Sequence, residues 1–284
     1  MPDLIVENMT VTFPGPRGKV DVVRDFSVTI GAERVGLVGE SGSGKSMTAR
    51  ALLGLVRPPG NVSAGRFTFG DKNLLKASKR DWINVRGRGI AMVIQDPNYS
   101  LNPVQKVGEQ VAEAGLLHGI FTRSEARDKA VEMLRSVGIS DPHRVFDAYP
   151  HQLSGGLGQR AMIAAMLIAS PQVLIADEPT SALDVQVRDQ VLDLISREIL
   201  QRQMGLLLIS HDLRMVARYC DRVLIMYKGQ IVESCTGDRL FEAKHPYTRG
   251  LLGCLPSVAT RGTTLPTLDR ASLEGHLNVS TLRT

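Results

Sequence analysis

The stretch GESGSGKS at positions 39–46 restricts the architecture of this chain more than any other. Gly39, Gly42 and Gly44 let a backbone wrap closely around phosphate groups, with Glu40, Ser41 and Ser43 completing the cradle; Lys45 reaches the terminal phosphates and the Ser46 hydroxyl is placed for Mg²⁺. Such a loop works only where a strand runs into it and a helix leaves it. RVGLVG at 34–39 reads as that strand and MTARALLGL as that helix. A plain glycine turn is therefore the weaker reading.

The rest of the chain continues the theme. GIAMVIQ (89–95), QVLIADE (172–178) and LLLISH (206–211) are short, uninterrupted apolar runs, the pattern of strands covered on both faces. Alternating with helical patterns, they predict a mostly parallel sheet with crossover helices. The first 30 residues alternate instead, in LIVENMTVTF and VVRDFSVTI, and with RFTFG at 66–70 predict a small antiparallel side sheet. From about 97 to 160 the strand pattern gives way to helices. Ala130, Met133, Leu134 and Val137 lie at the spacing of one buried face, and Thr122 with Glu125 forms a capping box at the start of that helix. KHPYTRGLLGCLP carries one short helix, and the last 25 or so residues, polar and aperiodic, are expected to pack loosely.

Composition narrows the function classes. The longest apolar run, AMIAAMLIA at 161–169, is a buried-helix length and far from a bilayer span. MPDLIVEN has no basic region leading into an apolar one, which argues against a secretory signal and for a cytoplasmic location. Cys220, Cys235 and Cys254 suit neither a disulfide framework nor a metal cluster and read as buried thiols. A net charge of +5 is compatible with nucleic acid, anionic headgroups or neither. The densest basic stretch, SKRDWINVRGRG at 78–89, mixes in acidic and apolar residues and reads as solvated surface.

The parallel-strand candidates end in polar residues, which places Gln95, Asp177, Glu178 and His211 at the carboxyl edge of the sheet, where ligands bind in open α/β folds. Asp177 can hold the water shell of a metal, and Glu178 can polarise an attacking water. Without the apolar run ahead of it, the Asp-Glu pair before Pro179 would read as a surface turn. Gln95 could touch Mg²⁺ and the nucleophilic water, and His211 could hydrogen-bond a terminal phosphate. A second phosphate cradle is harder to place. LSGGLGQR at 153–160 opens the apolar helix with Ser154, Gly155 and Gly156, offering backbone N–H groups at a helix start.

In this order, GESGSGKS, Gln95, LSGG, VLIADEP, SALD and His211 resemble the ATP-binding subunits of ABC transporters, over residues 1 to about 235. VIQDPNYSLNP and KHPYTRGLL resemble further the oligopeptide, dipeptide and nickel importer branch. The resemblance implies an α/β P-loop NTPase (ABC ATPase) core with a mostly parallel sheet, an antiparallel β side sheet and an inserted helical subdomain at about 97–160, with a C-terminal extension over 236–284. It implies ATP and Mg²⁺ as ligands, with Ser46, Gln95 and Asp177 toward the metal. It also implies a use for the second cradle: two such domains pack head to tail, identical or paralogous, and LSGG of one covers the ATP held by the other. Ser181 to Asp184 then run along the seam, with Asp184 near the nucleotide. Phe13 matches the position of an aromatic that stacks on adenine, although an aromatic there could equally be core. The helical subdomain and the loop after Gln95 would dock on a membrane permease, at the cytoplasmic face of the bacterial inner membrane, with the membrane subunits and an extracytoplasmic solute-binding protein choosing the cargo.

Departures are few. Leu157 and Gly158 follow LSGG where a Gln or Met and then a basic or polar residue are common, and glycine early in a helix costs up to about 1 kcal/mol relative to alanine. The cysteine-rich segment that often follows HPYTRGLL is reduced to Cys254, so no iron–sulfur cluster is expected. A soluble ABC ATPase acting on DNA or ribosomes is the alternative, but such proteins carry a long coiled-coil insertion or two cassettes per chain. Neither is present, and no nucleic-acid partner is expected.

Overall fold

Every apolar strand run in this chain has to be covered twice, because consecutive side chains point to opposite faces. The computed structural model, which describes residues 3–16, 18–94, 100–181 and 183–255, shows what does the covering. Its central sheet contains β3 (Arg34–Val38), β7 (Ile90–Val93), β8 (Val173–Asp177), β9 (Gly205–Ser210), β10 (Arg222–Tyr227) and β11 (Gln230–Thr236), in the order β11-β10-β3-β9-β8-β7. All neighbours are parallel except β11, which runs antiparallel to β10 on the edge. Along β9, Leu207 and Ile209 belong to one core while Leu206 and Leu208 belong to the other. The uninterrupted apolar run follows from that alternation.

One core lies under the antiparallel sheet of β1 (Leu4–Gly15), β2 (Gly18–Ile30), β4 (Asn61–Ser63), β5 (Arg66–Phe69) and β6 (Lys72–Asn73). There Leu4, Val6, Phe26 and Phe67 meet Val35, Leu37 and Ile175, with Leu52 of α1 (Lys45–Leu52) between the layers. The expected side sheet is thus larger than its three sequence runs, and α1 starts two residues earlier than the apolar pattern marks.

The second core is roofed by helices α3 (Val107–Leu117), α4 (Ala126–Ser136), α5 (Pro142–Asp147) and α6 (Gly155–Leu167), followed by α7 (Val185–Arg202) and α8 (Leu213–Tyr219). The predicted face of α4 is the buried one: Ala130, Leu134 and Val137 are fully buried and Met133 partly so. Truncating Leu134 to alanine removes apolar contact and leaves a cavity, so the variant should lose about 2–5 kcal/mol of stability in denaturant titration. The proposed capping box is displaced. Glu125 reaches back to the Thr122 N–H at 2.8 Å, but the helix itself begins at Ala126, so this pair closes the preceding turn rather than capping the helix.

The basic stretch at 78–89 is less solvent-directed than its charge suggests. Ser78 and Asp81 form a capping box on α2 (Lys79–Val85). Lys79, Arg80 and Arg88 are exposed, whereas Arg86 donates to the carbonyls of Leu53 and Gly54 at 2.9 and 2.8 Å, closing the end of α1. The cysteines also divide. Cys220 is buried, and burial pushes its thiol up to about 12. Cys235, on the edge strand, and Cys254, just past α9 (Pro246–Gly253), are only half-buried. The C-terminal tail beyond 255 lies outside the described residues. Among those residues, no helix is long and apolar enough to cross a membrane.

Candidate nucleotide site

Three strand ends meet at one edge of the central sheet. Val38 pairs with Ser210, and Ile209 pairs with both Leu37 and Asp177, so β3, β9 and β8 deliver the glycine loop, His211 and the Asp177–Glu178 pair side by side. β7 ends at Val93 beside Ala176, just before Gln95, which lies outside the described residues.

The glycine loop has the shape its composition asks for. Gly44 caps α1 with φ 107°, a conformation natural to glycine. A Cβ on Gly39 would stand 2.2 Å from the Met226 carbonyl oxygen. Lys45 is buried, and its Nζ donates to the carbonyls of Gly39 and Glu40, both at 2.8 Å. Burial holds its pKa below the ordinary lysine value against the pull of Glu178, Asp177 and Glu40. The ammonium thus rests on neutral backbone oxygens, weaker acceptors for it than an anionic oxygen would be. Ser41 and Gly42 are exposed at the crown of the loop, and Ser43 is buried beneath it.

Ser46 Oγ donates to Asp177 Oδ1 at 3.2 Å. Burial, with repulsion from Glu178, raises the Asp177 pKa above the ordinary carboxylate value, partly offset by Ser46 and Lys45. A hydroxyl and a carboxylate converging beside a phosphate loop are the hard oxygen donors that Mg²⁺ takes. The residues present fit that ion. It would neutralise phosphate charge when bound.

Glu178 sits one residue past the end of β8 with φ 48°, a costly backbone for a residue with a side chain. Its N–H donates to the Ile209 carbonyl at 2.9 Å, which holds it there, and its Oε1 lies 3.2 Å from His211 Nδ1. The His211 side chain is 66% exposed and that of Glu178 23%, so the pair faces the open side of the site, where an attacking water would stand. Phe13 is half-buried on β1 and lines an open groove of about 610 Å³ together with Met47, Arg50, Val56 and Pro58. Met47 and Arg50 belong to the helix that the glycine loop starts. The groove therefore adjoins the helix start that follows the glycine loop.

The second cradle is at the start of α6. Ser154 precedes the helix, its side chain makes no capping bond, and both Ser154 and Gly155 are exposed. The nearest heavy atoms to this end are Leu183 Cδ2, 3.8 Å from a Cβ built on Gly155, and Val187 Cγ1, 3.1 Å from one built on Gly156. It thus lies against the 183–187 segment. There Asp184 is exposed and accepts from the Val187 N–H at 3.0 Å, and Ser181 Oγ donates to the Glu178 carbonyl at 3.2 Å. Ala182, within SALD, is outside the described residues. Leu157 packs against the helical core and Gly158 is buried, so the unusual pair after LSGG points inward.

Sequence reasoning missed two partners. Gln159, buried in α6, donates its amide N–H to the Pro179 carbonyl, next to Glu178; a lone polar residue inside an apolar helix was the available signal. Tyr247 accepts a hydrogen bond from the Glu40 N–H, and a contact so distant in sequence leaves no local trace.

A family model described as ABC transporter matches residues 23–181. The oligopeptide transport ATP-binding protein OppD of Bacillus subtilis is 42% identical over 91% of this chain and 73% of its own length. The dipeptide transport ATP-binding protein DppD of Escherichia coli is 43% identical over 90% of this chain and 79% of its own. Among solved structures, the dimeric structure of MJ0796, a bacterial ABC transporter cassette, matches with a TM-score of 0.73 and 24% identity, covering 82% of this chain and 98% of that one.

Proposed function

This chain belongs to the ABC transporter family of ATP-binding subunits, and from that premise we propose that it is the motor of an importer for peptides or a related small solute, working as one half of a pair of cassettes. Its reaction is ATP hydrolysis. The observation that carries the pairing is the uncapped start of α6, exposed at Ser154 and Gly155, a second anion-binding end in a chain that already holds a complete phosphate loop. One helix end supplies only about half a positive charge, and a single loop leaves the outer face of the γ-phosphate in water. A neighbouring cassette, identical or paralogous, closes that face with its own 154–156 segment.

Within the site, Lys45 takes the terminal phosphates, Ser46, Asp177 and Gln95 hold Mg²⁺, and Glu178 polarises the water. His211 fixes the Glu178 carboxylate toward it. Phe13 stacks on adenine at the mouth of its groove. Base–aromatic stacking is worth about 1–3 kcal/mol, so Phe13→Ala should weaken ATP binding about tenfold with little change in turnover at saturation, as measured by equilibrium titration.

The helical roof supports a permease partner. Val104, Leu117 and Ile120 are exposed at 78%, 69% and 44%, near an open groove of about 550 Å³ lined by Gln105, Glu109, Glu113 and Leu117. Docked there, closing and opening of the pair would drive alternating access, with the chain held at the cytoplasmic face of the bacterial inner membrane and the cargo delivered by an extracytoplasmic binding protein. Copurification from native membranes tests this reading: permease and ATPase subunits should accompany the chain, and recovery with ribosomes or nucleic acid instead would refute it.

A further inference from the structure

The peptide unit between Gly39 and Glu40 is gripped at both ends. Its carbonyl, on Gly39, accepts from Lys45 Nζ at 2.8 Å, and its N–H, on Glu40, donates to the Tyr247 hydroxyl at 3.0 Å. Fixing one end of a planar peptide fixes the other, so one of the two backbone oxygens on which Lys45 rests is aimed by a side chain 207 positions beyond Glu40.

Tyr247 is well placed to aim it. The residue is 0% exposed, and its ring lies 4.3 Å, centroid to centroid, from that of Tyr227 at the end of β10. The helix that carries it, α9, is pinned at its start: Glu233 Oε1 accepts from the N–H groups of Lys244 and His245 at 2.7 and 3.2 Å, and His245 Nδ1 accepts from the Tyr247 N–H at 3.2 Å. The turn after β10 adds a second outer hold on the loop, where the Gly229 N–H donates to the Ser43 carbonyl at 2.9 Å. A phosphate cradle binds well only if its N–H groups stand ready, because ordering backbone at the moment of binding opposes it.

We propose that Tyr247 is a positioning residue for phosphate binding, holding the Gly39–Glu40 peptide so that Lys45 is presented to the nucleotide. The proposal rests on reading residues 39–46 as the phosphate loop and extends that reading to α9. Replacing Tyr247 with phenylalanine keeps the ring and removes the hydroxyl that accepts from the Glu40 N–H. Loss of one such hydrogen bond corresponds to about a three- to tenfold change in an equilibrium constant.

The test measures ATP and adenosine affinities of the full chain by equilibrium binding, in the parent, Tyr247→Phe and Lys45→Ala forms. The ratio of the two affinities does not depend on the fraction folded, so it isolates the phosphate contribution. Tyr247→Phe should lower the ATP-to-adenosine ratio about three- to tenfold with adenosine binding unchanged, and Lys45→Ala should lower it further. If Tyr247→Phe keeps the parent ratio while Lys45→Ala loses it, the phosphate loop stands and the role of Tyr247 falls. If neither variant changes the ratio, the phosphate-loop reading itself is wrong and takes the inference with it.

Discussion

Replacing Glu178 with glutamine should cut ATP turnover by about two to four powers of ten while leaving nucleotide affinity near that of the parent. The amide keeps the size of the carboxylate and its place 3.2 Å from His211 Nδ1, but it cannot take a proton from water. Because the γ-phosphate then persists, ATP with Mg²⁺ should accumulate the closed pair. Light scattering on a sizing column reads this directly. A Glu178→Gln chain that stays monomeric with ATP and Mg²⁺, both alone and beside its natural ATPase partner, would show that the nucleotide does not join two cassettes.

Ser154→Arg should produce an equally inactive chain for a different reason. Ser154 is exposed and precedes Gly155 and Gly156, which lie beside Leu183 and Val187, so a bulky cation there should leave the chain's own phosphate loop untouched and obstruct the face offered to a neighbour. ATP binding should persist and hydrolysis fall by about 10²–10³-fold, the scale of losing a preorganised donor. Mixing makes the prediction sharper. A Ser154→Arg chain has a sound loop and a spoiled lid, a Lys45→Ala chain the reverse, and one of the two composite sites in their heterodimer is intact. Turnover should reappear when the two inactive chains are combined. Undiminished turnover by Ser154→Arg alone would rule out a shared site.

Much of this was legible before any coordinates because the chemistry sits on short, local patterns. RVGLV followed by GESGSGKS gives strand, loop and helix in one reading, and VLIAD and LLLIS place Asp177, Glu178 and His211 just at or beyond strand ends because runs buried on both faces have little freedom to end elsewhere. What local pattern misses is contact across the sheet. The hydrogen bond from Glu40 to Tyr247 spans 207 positions, and the inward turn of Arg86 depends on where α1 ends, not on its charged neighbours. Thr122 and Glu125 show the opposite failure: their spacing satisfies the capping rule and the side chains do meet, yet the backbone forms a turn there and starts the helix later.

The bond from Gln159 to the Pro179 carbonyl bears on how a pair of such chains would keep time. It ties α6, whose start we propose covers a neighbour's nucleotide, to the turn that carries Glu178. The Gln159 side chain is buried and the Ile209 carbonyl holds the Glu178 N–H, so both ends of this link are fixed in place. In two cassettes so wired, the occupancy of one site would change the rate at the other.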